Sequence, residues 1–256
     1  RFFACAKLLS QARAPPFWTF FQPNHQAEER TEMEYICGKR TAQMDGLTLA
    51  AHLVARLTGA GEIVLDLGTG DGRYVAEQAR RNQANFYIGL DACRENLVEI
   101  SRKAPANSLF LIASGENLPG ELTGLIGSIT LNFPWGSLLE GLLESVSEVM
   151  TGLRMVARPG AKLELRLNES ALRMSGRSLE TGREQVISAL EGAGFAVEMV
   201  ELLEVTGLKK FPSSWARRLA SGREGQVLQI RAFYIPVPEP VTPPAGEMVL
   251  TGAAPL

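Results

Sequence analysis

One stretch of the chain constrains its fold more than any other: Val64-Leu65-Asp66-Leu67-Gly68-Thr69-Gly70-Asp71-Gly72-Arg73, followed by a second apolar run, Ile88-Gly89-Leu90-Asp91. An apolar run that contains a carboxylate, opens into a glycine-rich turn and enters a helical pattern reads as strand, turn and helix. Glycines in such a turn let a ligand approach the backbone and its N–H groups closely. The second run ends in Asp91, a carboxylate placed to accept from a ribose diol. The spacing excludes the nicotinamide fingerprint G-x-G-x-x-G, whose third glycine packs helix on strand. Counted from Gly68 the third position is Arg73, and counted from Gly70 it is Val75.

Strand, turn, helix, strand and terminal acid in that order read as the cofactor site of a Rossmann-like methyltransferase that uses S-adenosylmethionine (SAM). At 256 residues and 45% hydrophobic content the chain can bury one core as a single domain. A net charge of −2 carries no global basic signal, so a nucleic-acid partner has to be met by locally clustered cations. Cys5, Cys37 and Cys93 have neither metal-ligand nor disulfide spacing, which points to a reducing compartment and no metal. The uncharged stretch between Glu121 and Glu140 holds Gly124, Gly127, Asn132, Pro134 and Gly136. It reads as a buried strand leading into a loop rather than a membrane span.

Residues 1–32 carry Arg1, Lys7 and Arg13 with no acid before Glu28, and Pro15, Pro16 and Pro23 as breakers, so a flexible extension is expected there. Residues 236–256, with Pro236, Pro238, Pro240, Pro243 and Pro244, read as a disordered tail. Between them, 33–235 form the expected SAM-dependent methyltransferase domain. It opens with a hairpin over 33–44 around Gly38-Lys39, after which Asp45 caps a helix whose expected apolar face is Leu47, Ala50, Leu53, Val54 and Leu57. Strands are predicted at 62–67, 86–90, 109–113, 128–133, 162–167, 195–203 and 227–235, and helices at 74–81, 94–103, 137–156 and 183–191. The 137–156 helix is expected to bury Leu138, Leu139, Leu142, Val146, Val149, Met150 and Leu153 on one face. This alternation predicts an α/β fold: a doubly wound, mostly parallel seven-stranded sheet with an N-terminal β-hairpin and an antiparallel last strand. Ligands then bind beyond the carboxyl ends of the strands, where Gly68, Asp91, Ser114 and Pro134 fall.

After the third parallel strand, Ser114-Gly115-Glu116-Asn117 is a small, polar loop against which an adenine ring can lie. After the fourth, Asn132-Phe133-Pro134-Trp135-Gly136 presents a tryptophan between a proline and a glycine, a setting in which Trp can stack an unpaired base. Phe211-Pro212-Ser213-Ser214-Trp215-Ala216-Arg217-Arg218-Leu219 places a second tryptophan beside two arginines. The plain alternative is that both tryptophans are packing residues.

The runs Asp66–Arg73, Phe86–Asp91, Phe133-Pro134-Trp135-Gly136-Ser137-Leu138-Leu139 and Ser214-Trp215-Ala216-Arg217-Arg218-Leu219-Ala220 resemble the 16S ribosomal RNA (adenine-1408, N1) methyltransferases that confer kanamycin and apramycin resistance. The resemblance spans about Met33 to Ile235. It implies that Asp66, Gly68, Gly70, Arg73, Asp91, Ser114, Gly115 and Glu116 hold SAM, with Ser137 and Ser213 lining the site. It implies that Trp135 and Trp215 sandwich a flipped adenine whose N6 amine donates to the Pro134 carbonyl. Arg217, Arg218 and Arg223, with Arg102 and Lys103, would grip the RNA of the 30S subunit. A cytoplasmic monomer without metal or membrane contact is the implied state.

Neutral adenine N1 carries an in-plane lone pair and no proton, so the chemistry asks for alignment rather than a general base. Neither His25, in the leader, nor His52, on the first helix, is needed. The chain departs from the family after Arg223, where Glu224-Gly225-Gln226 replaces further cations, and after Lys103, where Ala104-Pro105-Ala106-Asn107 is short and uncharged. Two other readings stay open: a SAM methyltransferase of this fold with another RNA or small-molecule substrate, and a SAM- or RNA-binding protein without transfer activity. Asn132-Phe133-Pro134-Trp135 is also similar to the Asn-Pro-Pro-aromatic motif of adenine-N6 enzymes, with Phe133 in the place of the first proline.

Overall fold

A computed structural model describes residues 33–37, 40–57, 61–221 and 225–236. The first two strands, β1 (Met33–Cys37) and β2 (Arg40–Met44), pair antiparallel, Met33 with Met44 through Cys37 with Arg40. Asp45 starts α1 (Gly46–Leu57): its carboxylate accepts from the Thr48 hydroxyl at 2.6 Å and the Thr48 N–H at 2.9 Å. Those bonds hold its pKa below the usual carboxylate value. The stripe of α1 that packs on the sheet contains Leu49 and Leu53, both buried, whereas Leu47 is 85% exposed. The expected face through Leu47 is therefore rotated, with leucines four apart making the contact.

The alternating part follows as β3 (Ile63–Leu67), α2 (Arg73–Arg81), β4 (Phe86–Asp91), α3 (Arg94–Ser101), β5 (Ser108–Ile112) and β6 (Ile126–Asn132). Every residue of β3 is buried, as expected of a parallel strand covered on both faces. Next come α4 (Ser137–Leu143), α5 (Glu148–Val156), β7 (Ala157–Asn168), α6 (Glu169–Met174) and α7 (Leu179–Gly192). The last elements are β8 (Phe195–Glu204), a 3-10 turn (Val205–Lys210), α8 (Ser214–Ser221) and β9 (Gln226–Tyr234).

The nine strands of the described residues lie in one sheet, ordered β2-β1-β5-β4-β3-β6-β7-β9-β8. β5, β4, β3, β6 and β7 are parallel, the hairpin joins antiparallel through β1 and β5, and β9 runs antiparallel between β7 and β8. The hairpin thus extends the expected seven strands to nine. The chain winds from β3 outward to β5 and then returns to β6 on the other side of β3. The crevice beyond the carboxyl ends of β3, β4 and β6 is the switch point at which ligands of such sheets bind.

Three expectations are corrected. The predicted 137–156 helix is two helices, because Ser147 caps α5 by accepting from the Met150 N–H at 3.1 Å and leaves Val146 93% exposed in the break. α7 begins at Leu179 rather than 183, capped by Ser178 through the Thr181 N–H at 3.0 Å, and α6 was not anticipated. β7 starts at Ala157 and runs through Pro159 and Gly160, residues that locally signal a break.

The main core fills the sheet faces under α1, α4, α5 and α7, from Leu49 and Leu65 to Leu190 and Phe195. A separate small core of Phe133, Val205, Leu208, Ala216, Ala220 and Val227 seats α8. No helix of the described residues is long and apolar enough to cross a membrane, and no cluster of metal-ligating side chains occurs among them. The flexible ends expected at 1–32 and 236–256 lie outside the described residues, Pro236 excepted.

Candidate active site

Gly68, Gly70 and Gly72 all have positive φ (71°, 57° and 65°), a conformation that only glycine adopts without strain. The turn is laced to the end of β4: the N–H groups of Gly68 and Thr69 donate to the Leu90 carbonyl at 2.9 and 3.0 Å. Gly70 N–H donates to Asp91 Oδ2 at 2.7 Å, and Gly72 N–H to the Thr69 carbonyl at 3.1 Å. These four N–H groups are therefore committed within the protein. The turn offers a ligand close approach and shape, not the set of free donors that its glycines suggest.

Asp66 is 2% exposed at the carboxyl end of β3. Its Oδ1 accepts from Thr130 Oγ1 at 2.6 Å and Asn132 Nδ2 at 2.9 Å, both on β6. Burial pushes its pKa up to about 6, against the opposing pull of Thr130, Thr69 and Asn132 and the charge of Arg166. Asp91 also accepts from the Cys93 N–H at 2.9 Å and from Asn96 Nδ2 at 3.3 Å. A carboxylate offers about four acceptor directions, so one remains for a ribose hydroxyl, and the long Asn96 bond can yield another.

On the other side of the crevice the Ser137 hydroxyl, at the start of α4, bonds to the Glu116 carboxylate and holds its pKa low, with a smaller contribution from Ser114. The third-strand loop is thereby tied to the segment that carries Trp135. A Cβ on Gly68 or on Gly115 would come within 2.6 or 2.7 Å of the Leu138 side chain, so α4 packs against both loops through one leucine. The predicted cofactor residues Asp66, Gly68, Gly70, Asp91, Ser114, Gly115, Glu116 and Ser137 thus come together around one crevice. Arg73 is exposed, with its Nε 3.5 Å from Asp71 Oδ2. Ser213 caps α8, its hydroxyl accepting from the N–H groups of Trp215 and Ala216 at 3.2 and 3.4 Å.

Trp135 and Trp215 meet edge to face, with centroids 5.9 Å apart and an interplanar angle of 68°. They are 44% and 38% exposed, which argues against a purely packing role. Their edge-on contact leaves no slot for a base, so the rings must part and turn parallel to hold one. The loop before Trp135 is held by Phe133, which at φ 60° is the one described residue other than glycine with positive φ. Its N–H donates to the Arg166 carbonyl at 2.8 Å. The Arg166 guanidinium bonds Asn132 Oδ1 at 2.8 Å, pairs with Glu164 at 2.9 Å and lies 5.1 Å over the Phe211 ring. Phe211 in turn stacks on Tyr74 (5.3 Å, 4°) and meets Phe133 edge-on. Arg166, Tyr74 and Phe211 thus join the two tryptophan-bearing segments. Nothing local in the sequence marks them, because each is an ordinary strand, helix or loop residue until the sheet order brings it here.

Of the predicted RNA-binding residues, Arg102, Lys103, Arg217 and Arg218 are exposed, and Arg223 lies outside the described residues. Arg80 Nη2 donates to the Lys103 carbonyl at 3.3 Å. Arg73, Arg80, Lys209, Lys210 and Arg217 line a groove of ≈ 330 Å³. This groove joins two cation groups that are separate in sequence, and the adjacent Lys209-Lys210 pair was its visible signal. Gly225 has a φ of 133°, so a cationic side chain placed there would strain the backbone.

A doubly wound sheet with acids ending β3 and β4 around a glycine turn, and an aromatic loop after β6, defines a class I SAM-dependent methyltransferase. Residues 34–234 match the family described as NpmA, 16S rRNA (adenine(1408)-N(1))-methyltransferase. A curated protein of that name from Streptoalloteichus tenebrarius is 35% identical over 208 residues, 75% of this chain and 94% of the relative. The crystal structure of the 16S rRNA methyltransferase KamB superposes with a TM-score of 0.71 at 31% identity, covering 80% of this chain and all of that one. A variant of the Catenulisporales acidiphilia 16S rRNA (adenine(1408)-N(1))-methyltransferase, solved with cosubstrate SAM, gives 0.70 at 29% identity over 82% of this chain. The chain belongs to the 16S rRNA (adenine(1408)-N(1))-methyltransferase family.

Proposed function

We propose that this protein transfers a methyl group from SAM to N1 of an adenine in the decoding site of 16S rRNA, acting on the 30S subunit in the cytoplasm. The observation that carries the reading is the meeting of two exposed tryptophans from distant segments beside the cofactor crevice. When bound, SAM supplies an electrophilic methyl group on a sulfonium centre. Asp91 binds the ribose diol; Ser114, Gly115 and Glu116 line the adenine of the cofactor. Buried Asp66, ionised above its pKa of about 6, provides negative charge at the end of β3. Arg73, Ser137 and Ser213 complete the rim.

Trp135 and Trp215 stack the target base and the Pro134 carbonyl accepts from its N6 amine, which aims N1 at the methyl group. Adenine N1 needs no deprotonation, so catalysis is mostly positioning, and the aromatic faces accommodate the cationic product. Arg102, Lys103, Arg217, Arg218 and Arg223 bind RNA phosphates. The test is tritiated-methyl transfer from SAM to purified 30S subunits, with primer extension to map the base. Label at the decoding-site adenine is expected. SAM binding with no transfer to 30S subunits would reject the ribosomal substrate.

A further inference from the structure

Asp71 lies in the glycine-rich turn between Gly70 and Gly72, yet both of its oxygens are taken by protein donors. Oδ1 accepts from the Arg73 N–H at 3.2 Å, and Oδ2 accepts from the Ser214 N–H at 3.2 Å and faces Arg73 Nε at 3.5 Å. Ser214 is the first residue of α8, and Trp215 is the second. The first N–H groups of a helix have no partner within it. Here the Ser213 hydroxyl takes those of Trp215 and Ala216, and Asp71, from the glycine-rich turn, takes that of Ser214. Its negative charge also suits the positive end of the helix.

A continuous path results. Asp91 holds the Gly70 N–H, Gly70 precedes Asp71, and Asp71 holds the residue before Trp215. We propose that Asp71 is a positioning residue for methyl transfer: it ties α8 to the cofactor turn, so that occupancy of the cofactor site and placement of Trp215 are coupled. The proposal rests on the reading of Trp215 as part of the base platform, but its first readout needs no ribosome.

Ser214→Pro isolates the bond. Proline lacks the N–H and is favoured at the first position of a helix, so the helix itself should survive. In a Trp18→Phe, Trp135→Phe background Trp215 is the sole tryptophan. SAM should lower iodide quenching of Trp215 in that background. Adding Ser214→Pro should raise quenching without SAM and remove the response to it. With all tryptophans present, Ser214→Pro and Asp71→Ala should lower kcat by about tenfold or more while the SAM dissociation constant moves by less than about threefold. Asp71→Asn, which keeps an acceptor oxygen, should recover most of the loss.

Parent-like quenching and kcat in Ser214→Pro would overturn the proposal. So would a loss of SAM affinity as large as the loss of kcat, since Asp71 would then be an ordinary cofactor-loop residue. If Ser214→Pro fails to fold, the contrast between Asp71→Ala and Asp71→Asn in the same two assays decides. A SAM-dependent quenching response without any transfer to 30S subunits would uphold the coupling and reject the ribosomal substrate instead.

Discussion

Asp66 and Asp91 sit on neighbouring parallel strands and bond to groups on the adjoining strand and turn, whereas Trp135 and Trp215 meet only because α8 is seated on its own small core. At the cofactor end Asp66 is buried and Asp91 half-buried, and their strands β3 and β4 are braced by ladders on both sides. The two tryptophans are exposed and touch edge to face, so the proposed base platform is closed. This difference matches two tasks. A cofactor of constant shape can be met by a preorganised cleft, while a base inside a folded RNA has to be admitted, which requires a platform that can open.

The largest expected effect lies at the cofactor end. Asp91→Ala removes the proposed ribose acceptor and also unlaces Gly70 and Cys93, and should weaken SAM binding by roughly 2–4 kcal/mol in calorimetry. Unchanged affinity in the folded variant would show that β4 does not end at the ribose.

Buried Asp66 makes the same end sensitive to pH. Its folded pKa of about 6 lies above the ordinary aspartate value of 3.8, so the native state holds more protons than the unfolded one between those values. The stability this group contributes is present below pH 3.8 and is lost as pH rises to about 6. Asp66→Asn should therefore be more stable than the parent by up to about 3 kcal/mol above pH 6, with the gap closing below pH 4. Urea denaturation at pH 3.5, 5 and 7 checks this. A gap independent of pH would mean that Asp66 does not titrate with burial.

At the base end the expected losses are smaller and spare the cofactor. Stacking is worth about 1–3 kcal/mol per base, so Trp135→Ala and Trp215→Ala should each cut methyl transfer by up to about a hundredfold with SAM affinity kept. Thermal stability falling in proportion to activity would make both tryptophans packing residues and erase the contrast between the two ends. The smallest effect concerns RNA charge. Glu224→Arg, beside Arg223, should steepen the salt dependence of 30S binding by about one unit, and Arg218→Ala should flatten it by about one. Slopes that do not move would place the RNA elsewhere on the surface.

The sequence by itself determined the strand, turn and helix on which the proposed cofactor site is built. Apolar runs, a glycine turn and acids at strand ends are patterns of a few consecutive residues, and steric limits on φ and the burial of strands act over that range. The places of Asp66 and Asp91 at strand ends and of Gly68 and Gly70 in the turn between strand and helix were legible for that reason, as was the hairpin over 33–44. Local pattern misled where one short-range signal outweighed another: apolar spacing hid the Ser147 cap, and Pro159-Gly160 hid the start of β7. Only the tertiary structure decided the base end. Trp135 meets Trp215, Arg166 lies over Phe211 and Asp71 holds Ser214 because β6, β7 and β9 are neighbours in the sheet and α8 packs on Val205, Leu208 and Val227. Contacts between residues so far apart along the chain depend on sheet order and side-chain packing, which no local periodicity encodes.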